Sequence, residues 1–150
     1  MLVPNLEYIK ELITIVKQSP YPSHMSMALD KIELDQAEVV LDLGPCHMQP
    51  FGIVHGGVLA TLIDTATFWA AFLRLSENTG LVNVDLKLNY LKPAMEGRLR
   101  AFGSCIQAGK SISYSEARVE DASGKIIAHG TSTLMALPGK GLHLSSCKFL

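Results

Sequence analysis

The sequence predicts an α+β fold in which one antiparallel sheet of about six strands wraps a single long helix. Three observations predict it. The 150 residues fit one domain, and at 48% hydrophobic and 18% charged they carry enough apolar surface for a core and too little charge for disorder. From Val58 to Leu73 the chain is apolar around most of a helix's girth, through Leu59, Leu62, Ile63, Ala66, Trp69, Ala70, Phe72 and Leu73, so this helix belongs inside. The strands that flank it are joined by turns of hairpin length, which implies antiparallel pairing.

The elements follow in order. Leu6, Ile9, Leu12, Ile13 and Val16 recur at helical spacing, which predicts an amphipathic helix over about 5–18. Ser19-Pro20-Tyr21-Pro22 should stop it. Strands are predicted over 26–34 and 37–43, with Asp35-Gln36 as the hairpin turn. A loop containing Gly44, Pro45, Pro50 and Gly52 leads into the long helix, expected from Gly56-Gly57 to about Ser76. Val82, Val84, Leu86, Leu88 and Tyr90 alternate with Asn83, Asp85, Lys87 and Asn89, which predicts a strand with one buried and one polar face. Pro93 and Gly97 bracket the turn into a strand at 98–108. Gly109-Lys110 turns that into 112–120, and Asp121 to Gly124 turns that into 126–137. The chain therefore divides into an N-terminal helix and linker (1–25), the main domain (26–138) and a loose C-terminal tail (139–150).

Composition excludes several classes. The formal net charge is −1, with no cluster of Lys and Arg to meet a nucleic acid. Thr61, Asp64, Thr65 and Thr67 interrupt the apolar stretch, which is also shorter than the roughly 20 residues of a membrane span. Glu7, Lys10 and Glu11 rule out a secretory signal at the N-terminus. Cys46, Cys105 and Cys147 are odd in number and lack metal-site spacing, so we expect reduced thiols, no bound metal and a cytoplasmic location.

Chemistry concentrates between Gln49 and Asp64. Gly56 and Gly57 open the helix, where glycine lets a ligand approach the backbone and the first N–H groups lack helical partners. The positive end of the helix dipole makes this a donor site for a carbonyl oxygen gaining charge. Thr61, Asp64 and Thr65 form a small polar face on the apolar rod. An ionised carboxylate there is costly unless partnered or functional; a bond to Thr61 would be the bland explanation. Gly57 and Asp64 lie seven residues apart, about 10.5 Å along the axis. If both act on one substrate, Asp64 must come from a second subunit, and two antiparallel helices about a two-fold axis would form two equal sites.

Asp42 and His47 have the bare spacing of a hydratase motif, but the Gly and Asn-Pro that complete it are missing. Cys46 beside His47 suggests a nucleophile, but neighbours on an extended segment point apart.

The segment Gln49, Gly52, His55-Gly56-Gly57 and Asp64 resembles the signature of the phenylacetyl-CoA thioesterase type (PaaI-like) hotdog family. The likeness runs on through Asn83-Val84-Asp85-Leu86 and Tyr90-Leu91-Lys92-Pro93-Ala94 to Gly124-Lys125 and His129-Gly130-Thr131. The resemblance implies hydrolysis of acyl-CoA thioesters to free acid and CoA at a dimer interface, with no cofactor beyond the CoA of the substrate. Asp64 would be nucleophile or general base, the Gly57 amide the oxyanion donor, His55 a positioning group and Gln49 a contact to the thioester or the lytic water. Gly56, Thr61 and Asn83 would line the bound group. Lys92, Lys110 and Ser111 would contact the CoA phosphates and pantetheine. A homodimer assembling into a homotetramer is the implied assembly. Leu59, Ile63, Phe51, Phe68 or Trp69 would line an apolar acyl pocket. The alternatives are a non-catalytic acyl-CoA sensor, for which the first 25 residues offer one helix and no helix-turn-helix, and an enoyl-CoA hydratase.

Overall fold

The computed structural model describes residues 3–150, so Met1 and Leu2 of the N-terminal segment lie outside it. Helix α1 (Leu6–Gln18) starts at Asn5, whose side chain accepts from the Glu7 N–H, and buries Tyr8, Leu12 and Val16. The prolines after it do not end helical structure. Ser19 alone is extended, and Pro20 opens a short helix α2 (Pro20–His24). Proline at the first helical position loses no hydrogen bond, so the stop becomes a restart.

Strands β1 (Met27–Glu33) and β2 (Gln36–Asp42) pair through a turn at Leu34-Asp35, one residue earlier than expected, with Asp35 at φ 66°. Helix α3 (Gly56–Phe72) ends about one turn before the predicted Ser76. Then come β3 (Thr79–Tyr90), β4 (Arg98–Ala108), β5 (Ile112–Glu120) and β6 (Ile126–Pro138). The six strands form one antiparallel sheet in the order β1-β2-β4-β5-β6-β3, as the turn lengths required.

The sheet curls around α3, whose Leu62, Ile63, Ala66 and Ala70 are fully buried. Gly103 of β4 lets the helix sit this close, because a side chain there would run into the Ala66 carbonyl. Irregularities in β1, β3, β4 and β6 bend the ladder around the rod.

The β3 irregularity overturns the predicted alternation in the first part of the strand only. The register slips between Asn83 and Asp85. Asn83 therefore faces α3, while beyond the slip Leu88 and Tyr90 do so. The apolar residues are not buried in the protomer either: β3 is an edge strand, and Val84 is 53% exposed.

The C-terminal segment is not loose. Phe149 bridges to Pro4, and Glu11 of α1 accepts from Ser145 and Ser146. Lys148 is fully buried and donates to the Phe72 and Leu75 carbonyls at the end of α3. Tail, α1 and the end of α3 thus form one knot. Alternating composition could not reveal it, because these contacts join residues more than 70 positions apart. No helix among the described residues is long and apolar enough to cross a membrane.

Candidate active site

The loop from Gly44 to His55 is built around His47. Its ring is buried, with Nδ1 accepting from the Gly44 N–H at 2.8 Å and Nε2 at 2.8 Å from the Met25 carbonyl. Both ring nitrogens are thus used structurally. Asp42, its supposed hydratase partner, is held by Arg98 at 2.8 and 3.0 Å, which keeps its carboxyl below the usual range. Cys46 is exposed, with its Sγ 3.7 Å from the His47 ring. The His47 carbonyl accepts from the His55 N–H at 2.8 Å and so sets the residue that caps α3.

His55 is the N-cap of α3, and its Nδ1 accepts from the Gly57 N–H at 2.8 Å. This corrects the expected donor: the Gly57 amide is engaged within the chain, since a side-chain acceptor at the N-cap satisfies an early helical N–H. Gly57 is small for the same reason, because a Cβ there would lie 2.9 Å from the His55 ring. The Gly56 N–H donates to no group among the described residues. A Cβ on Gly56 would lie 3.0 Å from the Tyr90 ring, which packs across the helix start. The alternation set Tyr90 on the inward face of β3, but did not show that its ring covers the start of α3.

Gly56 opens on a cleft of about 450 Å³ lined by Gln49, Ile53, Leu59, Tyr90, Lys92 and Pro93, among others. Gln49 bends its carboxamide oxygen back to the Phe51 N–H. Phe51 is 90% exposed at the tip of this loop, so it does not line the cleft. Leu59 lines it; Ile63 is sealed in the core instead. Phe68 and Trp69 are half-buried on α3 and meet edge to face at 4.8 Å. A groove of about 490 Å³ on the outer face of the sheet, lined by Lys31, Glu38, Phe102 and Arg118 among others, holds none of the predicted site residues.

Asp64 is half-buried, and burial alone pushes its carboxyl above the usual carboxylate range. Among the described residues its carboxylate has no hydrogen-bond partner. Thr61, its partner in the bland explanation, instead meets the Tyr21 hydroxyl at 2.7 Å. Asn83 donates to Ser132 Oγ at 2.9 Å and leans on the Asp64 carbonyl at 3.4 Å, so its amide pins the helix to β3 and β6. Asp64 does not line the Gly56 cleft of its own protomer. Lys110 and Ser111 lie far off as well. The Ser111 carbonyl accepts from Ala136, which pairs with Leu81, nine residues along β3 from Tyr90, or about 30 Å. The structure thus joins Gln49, Gly56 and Lys92 at one cleft, and leaves Thr61 more than a turn and Asp64 about two turns down the helix, with Asn83 beside Asp64 on β3. Among the described residues no three His, Cys, Asp or Glu side chains converge as metal ligands would.

The pattern of the thioesterase superfamily matches residues 51–128. The chain is 25% identical over 103 residues to the proofreading thioesterase EntH of Klebsiella pneumoniae, covering 69% of this chain and 75% of that protein. It is 25% identical over 133 residues to acyl-coenzyme A thioesterase 13 of Mus musculus, covering 87% of this chain and 84% of that one. A thioesterase structure from Haemophilus influenzae aligns with a TM-score of 0.83 at 26% identity, over 96% of this chain and 100% of the other.

Proposed function

The chain belongs to the thioesterase superfamily, with the hotdog fold, and on that premise we propose that it hydrolyses an acyl-CoA thioester to free acid and CoA at a site shared by two protomers. One observation carries the reading. The half-buried Asp64 carboxylate has no partner among the described residues, while the unengaged Gly56 N–H sits at an apolar cleft eight residues, about 12 Å, up the same helix. A second α3, antiparallel to the first, would bring each acid to the other's cleft.

The edge strand supports that pairing. β3 is 12 residues long, carries unpaired backbone groups and exposes Val82, Val84 and Leu86. Such an edge is covered in a stable protein, and two copies of β3 paired antiparallel about a two-fold would cover it while setting the helices antiparallel.

In the mechanism, the Gly56 N–H holds the thioester oxygen and stabilises the charge that develops there, an effect of roughly 10²–10³ in rate. Asp64 of the partner subunit then acts in one of two ways. As nucleophile, its oxygen bonds to the acyl carbon as the C–S bond breaks; CoA leaves as thiolate and takes a proton, and water cleaves the resulting anhydride. As base, it takes a proton from water while the water oxygen attacks, and passes it to the departing sulfur. Label entering Asp64 in a single turnover in ¹⁸O-water would mark the nucleophilic path, with water opening the anhydride at the Asp64 side-chain carbonyl. Lys92 at the cleft mouth suits the CoA phosphates, and Leu59 an apolar acyl group.

The test is CoA release, read with a thiol reagent over a panel of acyl-CoAs, beside Asp64→Ala. We expect turnover of at least one substrate and a loss of about 10²-fold or more in the variant. An unaffected variant, or intact acyl-CoA bound without turnover, would sink the proposal; the latter would favour a sensor.

A further inference from the structure

Asp64 needs an explanation for what does not touch it. Thr61 lies three residues before it on the same helical face, where a hydroxyl and a carboxylate are within reach of each other. A hydroxyl donating to a carboxylate stabilises the ionised form and lowers its basicity. Thr61 would therefore be the default partner, and its bond would weaken Asp64 as base or nucleophile. The structure instead sets the Thr61 Oγ1 2.7 Å from the hydroxyl of Tyr21. Tyr21 reaches this face from α2, the short helix that Pro20 starts, and is otherwise largely exposed.

We infer that Tyr21 is a positioning residue of the site, which holds the Thr61 hydroxyl away from Asp64 and so keeps the carboxylate unpartnered for the reaction. Within the protomer the surroundings leave this as the controlling contact. β3 presents the Asn83 amide, which is spent on Ser132 of β6 and on the helix backbone. Thr67 donates to the Ile63 and Asp64 carbonyls. Within one protomer no charged group from the elements packed on α3 bears on Asp64, which burial shifts; on the shared-site reading the cleft brought to it adds Lys92 and Tyr90, which the variants leave in place. The role also accounts for an N-terminal segment tied down at both ends, by the tail at Asn5 and Glu11 and by Tyr21 at α3.

The inference rests on the reading in which Asp64 drives cleavage, and the test separates the two. The titration of the Asp64 carboxyl is followed by ¹³C NMR in the full-length wild type, Tyr21→Phe, Thr61→Val and the double variant, beside the pH dependence of kcat. In Tyr21→Phe the freed Thr61 hydroxyl should turn to Asp64. The titration midpoint and the acid limb of kcat then both move to lower pH, and kcat at neutral pH falls roughly tenfold. Removing the Thr61 hydroxyl as well should return the titration to its wild-type midpoint, a rescue that loss of packing would not produce. Thr61→Val alone should leave the midpoint in place, which keeps the idea testable if Tyr21→Phe misfolds. An unmoved midpoint in Tyr21→Phe, no rescue in the double variant, or a shift in Thr61→Val would each overturn the role of Tyr21. Full activity in Asp64→Asn would overturn the catalytic reading instead, while the titration still decides the Tyr21 contact.

Discussion

At the scale of single residues, Asp64 carries a conflict between stability and chemistry. Its folded-state pKa is raised by burial, so the folded chain holds that proton more tightly than the unfolded chain. Stability is therefore lost as pH rises through the folded pKa, and at neutral pH the ionised acid weighs against folding. Asp64→Asn should be more stable than wild type at neutral pH and lose that advantage below about pH 4, where the native acid is protonated in both states. Thermal unfolding at the two pH values checks this, and an equal gap at both would argue against a desolvated carboxylate. At this scale Asp64 and the helix-opening glycines were legible, because a lone acid on an apolar rod and a Gly-Gly entry each break a local rule. Which glycine amide stays free was not. That depends on the rotamer of His55, whose Nδ1 turns to Gly57, and on the ring of Tyr90 lying over Gly56. Likewise Thr61 reads as a neighbour of Asp64, and only the fold brings Tyr21 from 40 positions away to claim it.

At the scale of elements, long-range closure decides what periodicity cannot. The strands and turns of the second half could be read because their side-chain periods are short and local. The bulge in β3 could not, since one extra residue leaves the alternating letters unchanged and only the ladder with β6 exposes it. The tail is the clearest case. Lys148 looks like a solvated terminal residue, yet its ammonium closes the end of α3 over the Phe72 ring, 4.0 Å from its centroid. Burial pulls its pKa down to about 8, with the neighbouring Glu77 opposing. For a base the sign is reversed from Asp64: between about pH 8 and 10.5 the unfolded chain binds more protons, so stability should rise with pH in that window. Lys148→Met should abolish this rise, by up to about 3 kcal/mol relative to wild type. Chemical denaturation at pH 7.5 and 9.5 (chosen below the range where Tyr8, pushed up to about 12, titrates) reads the difference. Parallel curves for the two proteins would mean the ammonium is not held as the structure draws it.

At the scale of the whole molecule, the proposed shared site gives each protomer only half of what the reaction needs. Its cleft has the free amide of Gly56 and, among the described residues, no acid, while Asp64 does not line it. If the site is shared, each active centre takes Gly56 from one chain and Asp64 from the other, and this has a consequence that no single-chain arrangement can imitate. Gly56→Val should disable the amide end, since even a Cβ there would lie 3.0 Å from the Tyr90 ring, closer than ordinary contact, and Asp64→Ala should disable the acid end. Each variant alone is then inactive. Mixed and allowed to exchange subunits, half of the dimers pair one of each. In such a dimer one centre has both defects and the other has neither, so activity should recover to about a quarter of wild type per chain. If both groups served a site within one chain, every chain in the mixture would still carry a defect and nothing would recover. Complementation therefore tests the shared site directly, because the number of intact centres in a mixed dimer depends only on which chain supplies each group.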